Sequence, residues 1–71
     1  MSLRGDITRK NIIEVIEKYT TMNGFPPTVR EIGDLLGIKS TATVHGHLEK
    51  LRKQGKIDWN STQPRTIRRV I

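Results

Sequence analysis

Cysteine is absent from this sequence of 71 residues, which excludes a disulfide framework and a zinc site with cysteine ligands. Long apolar runs are absent too, since none approaches the length of a membrane span, about 20 residues. No basic-then-apolar leader marks the chain for export. We therefore expect a cytoplasmic chain that binds no metal ion, needs no cofactor and has no membrane partner.

Catalytic signatures are equally scarce. There is no glycine-rich phosphate loop, no Gly-x-Ser-x-Gly and no pair of acids on a shared face. A chain of this length forms one domain, residues 1–71, with a small core that leaves no room for a deep catalytic pocket. We expect it not to be an enzyme and not to bind a small molecule. Aromatic residues total only three, which disfavours binding of single strands by base stacking.

Positive charge, in contrast, is abundant and one-sided. The net charge is +6, and residues 1–38 hold five basic and five acidic side chains. Residues 39–71 hold eight basic side chains against Glu49 and Asp58 alone. Such an excess suits a polyanion through attraction and counterion release, although basic charge also serves solubility.

The first predicted helix spans Thr8–Met22. Thr8 is a candidate N-cap, and Ile12, Val15, Ile16 and Tyr19 recur at helical spacing as one buried stripe. Asn23-Gly24 ends the helix. Residues 1–6 are expected to be disordered or a vector-derived start.

Two further helices, separated by only a short turn, follow a stiff Phe25-Pro26-Pro27 link. Thr28 and Glu31 form a capping box for a short helix that stops at Gly37. After a tight turn, Ser40 caps a third helix over Thr41–Gln54, with one apolar seam of Val44, Leu48 and Leu51. A short helix, a glycine-containing turn and a longer helix are typical of a helix-turn-helix.

The remainder, residues 56–71, is predicted to be a hairpin. Lys56–Asn60 alternates so that Ile57 and Trp59 share a face, and Thr66–Ile71 forms the return strand. A lone hairpin is marginal, so this one should pack on the helices through Ile57, Trp59, Ile67 and Ile71. The fold class is mainly α with a small β-hairpin, a three-helix winged helix-turn-helix.

The third helix has the two faces that a DNA-reading helix needs. One side packs on the body, while the other is small and polar enough to approach base edges in the major groove. Capping and ordinary solvation explain Ser40 by itself, but the hydroxyl-rich run as a whole favours DNA contact. The candidate DNA-binding residues are Thr28, Arg30, Ser40, Thr41, Ala42, Thr43, His45, Gly46, Lys50, Lys53 and Arg65.

Histidine and arginine residues leave alternatives open. His45 and His47 point about 200° apart on a helix and cannot chelate one ion. We expect His47 to pack near the apolar seam and His45 to face outward as the DNA contact. Arg65 is expected to reach DNA from the wing tip, whereas Arg68 and Arg69 fit a solvated strand equally well. Trp59 could stack on a base, but its alternation with Ile57 favours the core.

Four segments, in order, resemble the LexA family of bacterial SOS repressors: GFPPTVREIG at 24–33, STATVHGHL at 40–48, KQGKI at 53–57 and TQPRTI at 62–67. The resemblance implies a repressor of DNA-damage genes whose helix-turn-helix spans about Val29–Glu49 and whose reading residues fall among Ser40–Gly46. It also implies a homodimer on a palindromic operator, held together by a C-terminal domain that carries a self-cleaving serine-lysine dyad. Neither the domain nor the dyad is present in this chain.

Two other functions fit the same sequence. The chain could be a free-standing regulator of phage or mobile-element type, which would also bind duplex DNA. A winged helix can instead serve as a protein-protein module, since fold does not fix function. In that case the outer face of the third helix should be apolar or acidic, and it is neither.

Overall fold

Three helices followed by a small hairpin form the chain in a computed structural model, which describes residues 3–70. The helices are α1 (Leu3–Asn23), α2 (Val29–Leu36) and α3 (Thr41–Lys53). The strands β1 (Ile57–Asp58) and β2 (Arg68–Arg69) pair antiparallel, with Ile57 opposite Arg69 and Asp58 opposite Arg68. The predicted winged helix-turn-helix is confirmed. None of the helices within residues 3–70 is both long and apolar enough to cross a membrane.

Helix α1 begins earlier than the sequence predicted. Residues 3–6, expected to be disordered or vector-derived, lie in its first turns. Thr8 is consequently not an N-cap, because its hydroxyl donates to the Arg4 carbonyl one turn back, at 2.9 Å. A threonine hydroxyl makes this bond in a helix interior as readily as it caps a helix start, which explains the wrong boundary.

The capping box at the start of α2 forms as predicted. The Glu31 amide donates to the Thr28 hydroxyl at 3.1 Å, and the Thr28 amide donates to the Glu31 carboxylate at 2.9 Å. The helix ends at Gly37, whose φ of +71° lies in the left-handed region that glycine enters without strain. The Ile38 amide then donates to the Gly33 carbonyl at 2.8 Å, which closes the turn into α3.

Close packing between α2 and α3 rests on Gly33. A β-carbon built there would lie 3.0 Å from the Ile38 carbonyl oxygen and 3.4 Å from a Val44 methyl group. The absence of a side chain at this position therefore lets the turn and α3 fold tightly against α2.

One apolar core joins the three helices and the wing. Its buried members come from α1, α2, α3 and the wing: Ile12, Ile16, Ile32, Val44, Leu48, Leu51, Ile57, Trp59 and Ile67. Two members of the predicted α1 stripe, Val15 and Tyr19, are only partly buried. Ile71, also predicted to pack here, lies outside the described residues.

The hairpin is shorter than predicted, with two residue pairs in place of two longer strands. Beyond Asp58 the two chain segments that continue the hairpin are joined through the side chain of Thr66. The Asn60 amide donates to the Thr66 hydroxyl at 3.1 Å, and that hydroxyl donates to the Asn60 carbonyl at 2.9 Å. These bonds replace the next backbone pair of the ladder.

Two substitutions on α2 test this core. Ile32, fully buried, should lose about 2–5 kcal/mol of unfolding free energy on replacement by alanine, because a cavity remains. Leu35 is 60% exposed, so Leu35→Ala should change it by no more than about 0.5 kcal/mol. Chemical denaturation measures both, and equal losses in the two variants would contradict the packing described.

Candidate nucleic-acid interface

Helix α3 separates its residues into a buried seam and an open face. Val44, Leu48 and Leu51 are at most 1% exposed and pack in the core. Of the residues predicted to contact DNA, those on α3 and its cap all lie on the exposed side: Ser40, Thr41, Ala42, Thr43, His45, Gly46, Lys50 and Lys53. The helix therefore anchors one side and presents a surface of small, hydroxyl-bearing and cationic residues on the other.

The first turn of α3 is capped by Ser40. Its hydroxyl accepts from the Thr43 amide at 3.3 Å, as a capping serine does. No bond from the neighbouring Thr41 hydroxyl appears among the side-chain hydrogen bonds of residues 3–70, so that hydroxyl can turn toward a partner. Capping uses the Ser40 hydroxyl as an acceptor, and its O–H can still donate to a partner at the start of the open face.

Gly46 makes the centre of the open face flat. Apart from Gly46, its two chain neighbours and the adjoining backbone of α3, no heavy atom of the described chain lies within 4 Å of the place where its β-carbon would be. Unlike Gly33, it is not required by packing inside the chain. A helix surface without side chain at this point lets another molecule approach the backbone closely.

His45 lies against Trp59, a contact that sequence analysis missed. The two ring centroids are 4.7 Å apart and the planes meet at 71°, an edge-to-face arrangement. Trp59 is 9% exposed and belongs to the core, as predicted, while the imidazole stays on the surface. The wing thereby limits the orientations of a side chain on α3.

His47 is turned the other way and packs beside α1. Its Nδ1 accepts from the Arg9 guanidinium at 3.4 Å. Burial lowers the pKa of His47 below its ordinary value, and the charges of Arg9 and Lys50 lower it further. The predicted packing role of His47 is in agreement with this position. No group of three or more His, Asp or Glu side chains within residues 3–70 is placed to hold a metal ion.

Two adjoining grooves gather most of the predicted residues. We define the wing loop as residues 59–67. One groove is lined by Thr28, Arg30, Thr41 and Arg65 together with the tip of this loop. The other is lined by Thr41, Ala42 and His45, with Trp59 and Ser61 from the wing loop. The wing loop therefore lies beside the start of α3. Ser61, Thr62 and Gln63 of the wing loop also line this surface, which their turn-like composition does not predict.

Arg65 is placed differently from the sequence prediction of a free wing-tip contact. Its guanidinium is turned back to the body, where it donates to both Glu31 carboxylate oxygens at 2.9 and 3.2 Å. It also donates to the Tyr19 hydroxyl and the Pro26 carbonyl, and it stacks 4.7 Å from the Phe25 ring centre. The guanidinium of Arg65 is therefore bound to the body of the domain, by a carboxylate and an aromatic ring, and does not extend outward.

Cationic side chains continue along α3 and just past its end, beyond the grooves. Lys50, Lys53 and Lys56 are exposed, whereas Arg52 is paired with Glu49 at 2.9 Å. On β2, Arg69 forms an ion pair with Glu17 of α1, and Arg68 is exposed. Positive charge thus continues from the open face of α3 to Lys56, whereas Arg68 and Arg69 lie on the strand that packs on α1.

One protein family matches the sequence that forms this site. The model of the LexA DNA binding domain matches residues 7–66. The chain belongs to the LexA DNA binding domain family. The match takes in α2, α3 and most of the wing, so the open face and both grooves, apart from Ile67, lie within the family domain.

Relatives in this family are considerably longer than the chain. LexA repressors of Pediococcus pentosaceus and Brevibacillus brevis are 46% and 52% identical to it, over 80% and 79% of the chain and 27% of each relative. The LexA repressor of Caldicellulosiruptor saccharolyticus is 45% identical over 92% of the chain and 33% of its own length. The chain thus spans about a third or less of these relatives and corresponds to their DNA-binding domain.

Acid should weaken the fold through Glu31. The Thr28 amide and then the Arg65 guanidinium lower the pKa of Glu31 from 4.5 to about 2. The pKa of Glu31 is lower in the folded chain than in the unfolded chain, so ionised Glu31 stabilises the fold. This stabilisation is complete above pH 4.5 and disappears as the pH falls toward 2. The difference in unfolding free energy between wild type and Glu31→Gln should shrink over this window. Urea denaturation at a series of pH values measures it, and a constant difference would contradict the ion pair.

Proposed function

We propose that this chain binds duplex DNA sequence-specifically by placing the open face of α3 in the major groove, as the DNA-binding domain of a LexA-type repressor. The observation that carries the proposal is the division of α3, with Val44, Leu48 and Leu51 fixed in the core and a small, polar face left open. A helix fits the major groove, where hydroxyl and imidazole groups meet base edges and methyl groups meet thymine.

Each group of candidate residues has its own task. Thr41, Thr43 and His45 are proposed to contact base edges, and Ala42 and Gly46 to allow close approach. Lys50 and Lys53 are proposed to bind phosphates, as are Ser40, Thr28 and Arg30 around the start of α3. We assign Arg65 to holding the wing rather than to reaching DNA from its tip.

A second part of the proposal concerns the role of the full-length repressor. The relatives are LexA repressors, and we infer that the chain acts in transcriptional repression of DNA-damage genes. We further propose cytoplasmic action by a homodimer on a palindromic operator, with one α3 in each half-site and pairing through a C-terminal domain. The chain takes part by binding and not by catalysis.

The salt dependence of binding tests the main proposal. If about five phosphates are neutralised, the logarithm of the affinity for duplex DNA should fall with the logarithm of salt at a slope near −4.5. Fluorescence anisotropy on a labelled duplex, selected from a random pool, measures this slope. Binding that does not respond to salt would contradict the proposal and favour a protein-binding role.

Two variants separate base contacts from phosphate contacts in the same assay. His45→Ala should reduce affinity for the selected duplex by about 1–3 kcal/mol and leave random duplex little changed. Lys53→Ala should weaken both alike and reduce the steepness of the salt slope by about 0.9. Equal losses in the two variants would show that His45 carries no sequence information.

Gly46 provides a prediction in which stability and binding change in opposite directions. Gly46→Ala should stabilise the fold by up to about 1 kcal/mol, because alanine favours helix and its methyl group meets no neighbour. The same methyl group should weaken duplex binding about tenfold by keeping α3 away from the bases.

Gly33→Ala is the matched control on α2, since its methyl group would press on the Ile38 carbonyl and destabilise the fold. Thermal unfolding and anisotropy measure the two quantities. If Gly46→Ala bound duplex as well as wild type does, α3 would not approach DNA at this point.

A further inference from the structure

The sheet and the internal hydrogen bonds of the wing loop do little to hold the loop beside α3. The sheet at its base consists of two residue pairs, and an isolated two-stranded hairpin is marginal in water. Inside the loop, Asn60 and Thr66 bond to each other and the Asn60 side chain accepts from the Thr62 amide at 3.0 Å. These bonds shape the loop without attaching it to the helices. Trp59 and Ile67 attach its two ends to the core, and the tip between them needs another anchor.

Arg65 supplies a connection between the tip and three other parts of the chain. Its guanidinium bonds to Glu31 on α2, to the Tyr19 hydroxyl on α1 and to the Pro26 carbonyl in the link. The Tyr19 hydroxyl in turn donates to the Glu31 carboxylate at 3.0 Å. Glu31 thus closes the capping box of α2 and holds the wing with the same carboxylate.

The backbone of Arg65 gives separate support. Its φ of +57° lies in the left-handed region and is the only positive value at a non-glycine residue within the described chain. A residue with a β-carbon is held in this conformation only where surrounding contacts determine it. At Arg65 two sets of contacts accompany it: those of its own guanidinium, and the bonds from the Thr66 hydroxyl to the Asn60 and Gln63 carbonyls.

We propose that Glu31 and Arg65 are positioning residues for DNA binding, which act by clamping the wing loop beside α3. The inference rests on the proposed function, because it concerns how the DNA-binding surface is assembled. The clamp keeps the tip of the wing loop against Thr28, Arg30 and Thr41, and so keeps the groove between wing and α3 in shape. Glu31 contributes to binding of a polyanion although its own charge is negative.

The alternative, a direct bond from Arg65 to a phosphate, predicts the opposite effect of one substitution. Glu31→Gln removes a negative charge and frees the guanidinium. If Arg65 served mainly as a phosphate contact, this change should strengthen DNA binding. If the clamp matters, it should weaken binding despite the gain in positive charge. Glutamine still accepts from the Thr28 amide, so the capping box is kept.

The experiment measures affinity for the selected duplex across a salt series, together with amide hydrogen exchange of the chain alone. For Glu31→Gln we expect about fivefold weaker binding, the size of effect that loss of a partly exposed ion pair produces. The salt slope should stay as in wild type, since no phosphate contact is lost. The amides of Asn60, Thr62 and Gln63 should exchange faster, while that of Val44 in α3 should not.

Two further variants serve as controls. Asp34→Asn makes the same change of charge on the same helix, one turn further along, and should not weaken binding. Arg65→Lys keeps the charge but loses the planar fork and the stacking on Phe25, so it should weaken binding as Glu31→Gln does. A lysine would preserve a simple phosphate contact.

Stronger or unchanged binding by Glu31→Gln, or wild-type binding by Arg65→Lys, would overturn the clamp. So would unchanged exchange at the three wing amides. Failure of the proposed function is distinguishable from these outcomes, because the wild-type chain would then show no salt-dependent affinity for duplex DNA. Hydrogen exchange would in that case still report whether the ion pair holds the wing.

Discussion

The architecture depends on burial of one side of α3. Val44, Leu48 and Leu51 reach into a core that α1, α2 and the wing all share, so the helix cannot rotate about its axis without exposing them. Burial at about 25 cal/mol per Å² of apolar surface makes such a rotation costly. The direction in which Thr41, Ala42 and His45 point is therefore fixed by residues that never meet a partner.

Elements α2 and α3 were predictable because their signals are local. Thr28 and Glu31 stand three residues apart, Ser40 directly precedes its helix, and the seam of α3 repeats at helical spacing. The start of α1 was not predictable in this way, since a threonine such as Thr8 bonds to the carbonyl one turn back as well as it caps. Local spacing also separated the buried from the open face of α3.

The contacts that shape the site join distant parts of the chain. Arg65 and Glu31 are 34 positions apart, and no periodicity relates them. Both residues had sound local interpretations, as a wing-tip cation and as the partner in a capping box, and neither interpretation suggests the other residue. The pairing of His45 with Trp59 was hidden for the same reason, because each belonged to a different element. Only the packing of the wing on the helices brings these residues together.

The position of Trp59 has a practical consequence for spectroscopy. It is the only tryptophan in the chain, and its ring lies edge-to-face against His45 in the groove that Ala42 and Ser61 also line. All indole emission from the protein therefore originates beside the open face of α3, from a ring whose surroundings include the start of that helix. Trp59 is therefore an intrinsic fluorescent probe of the surroundings of the start of α3, and no added label is needed.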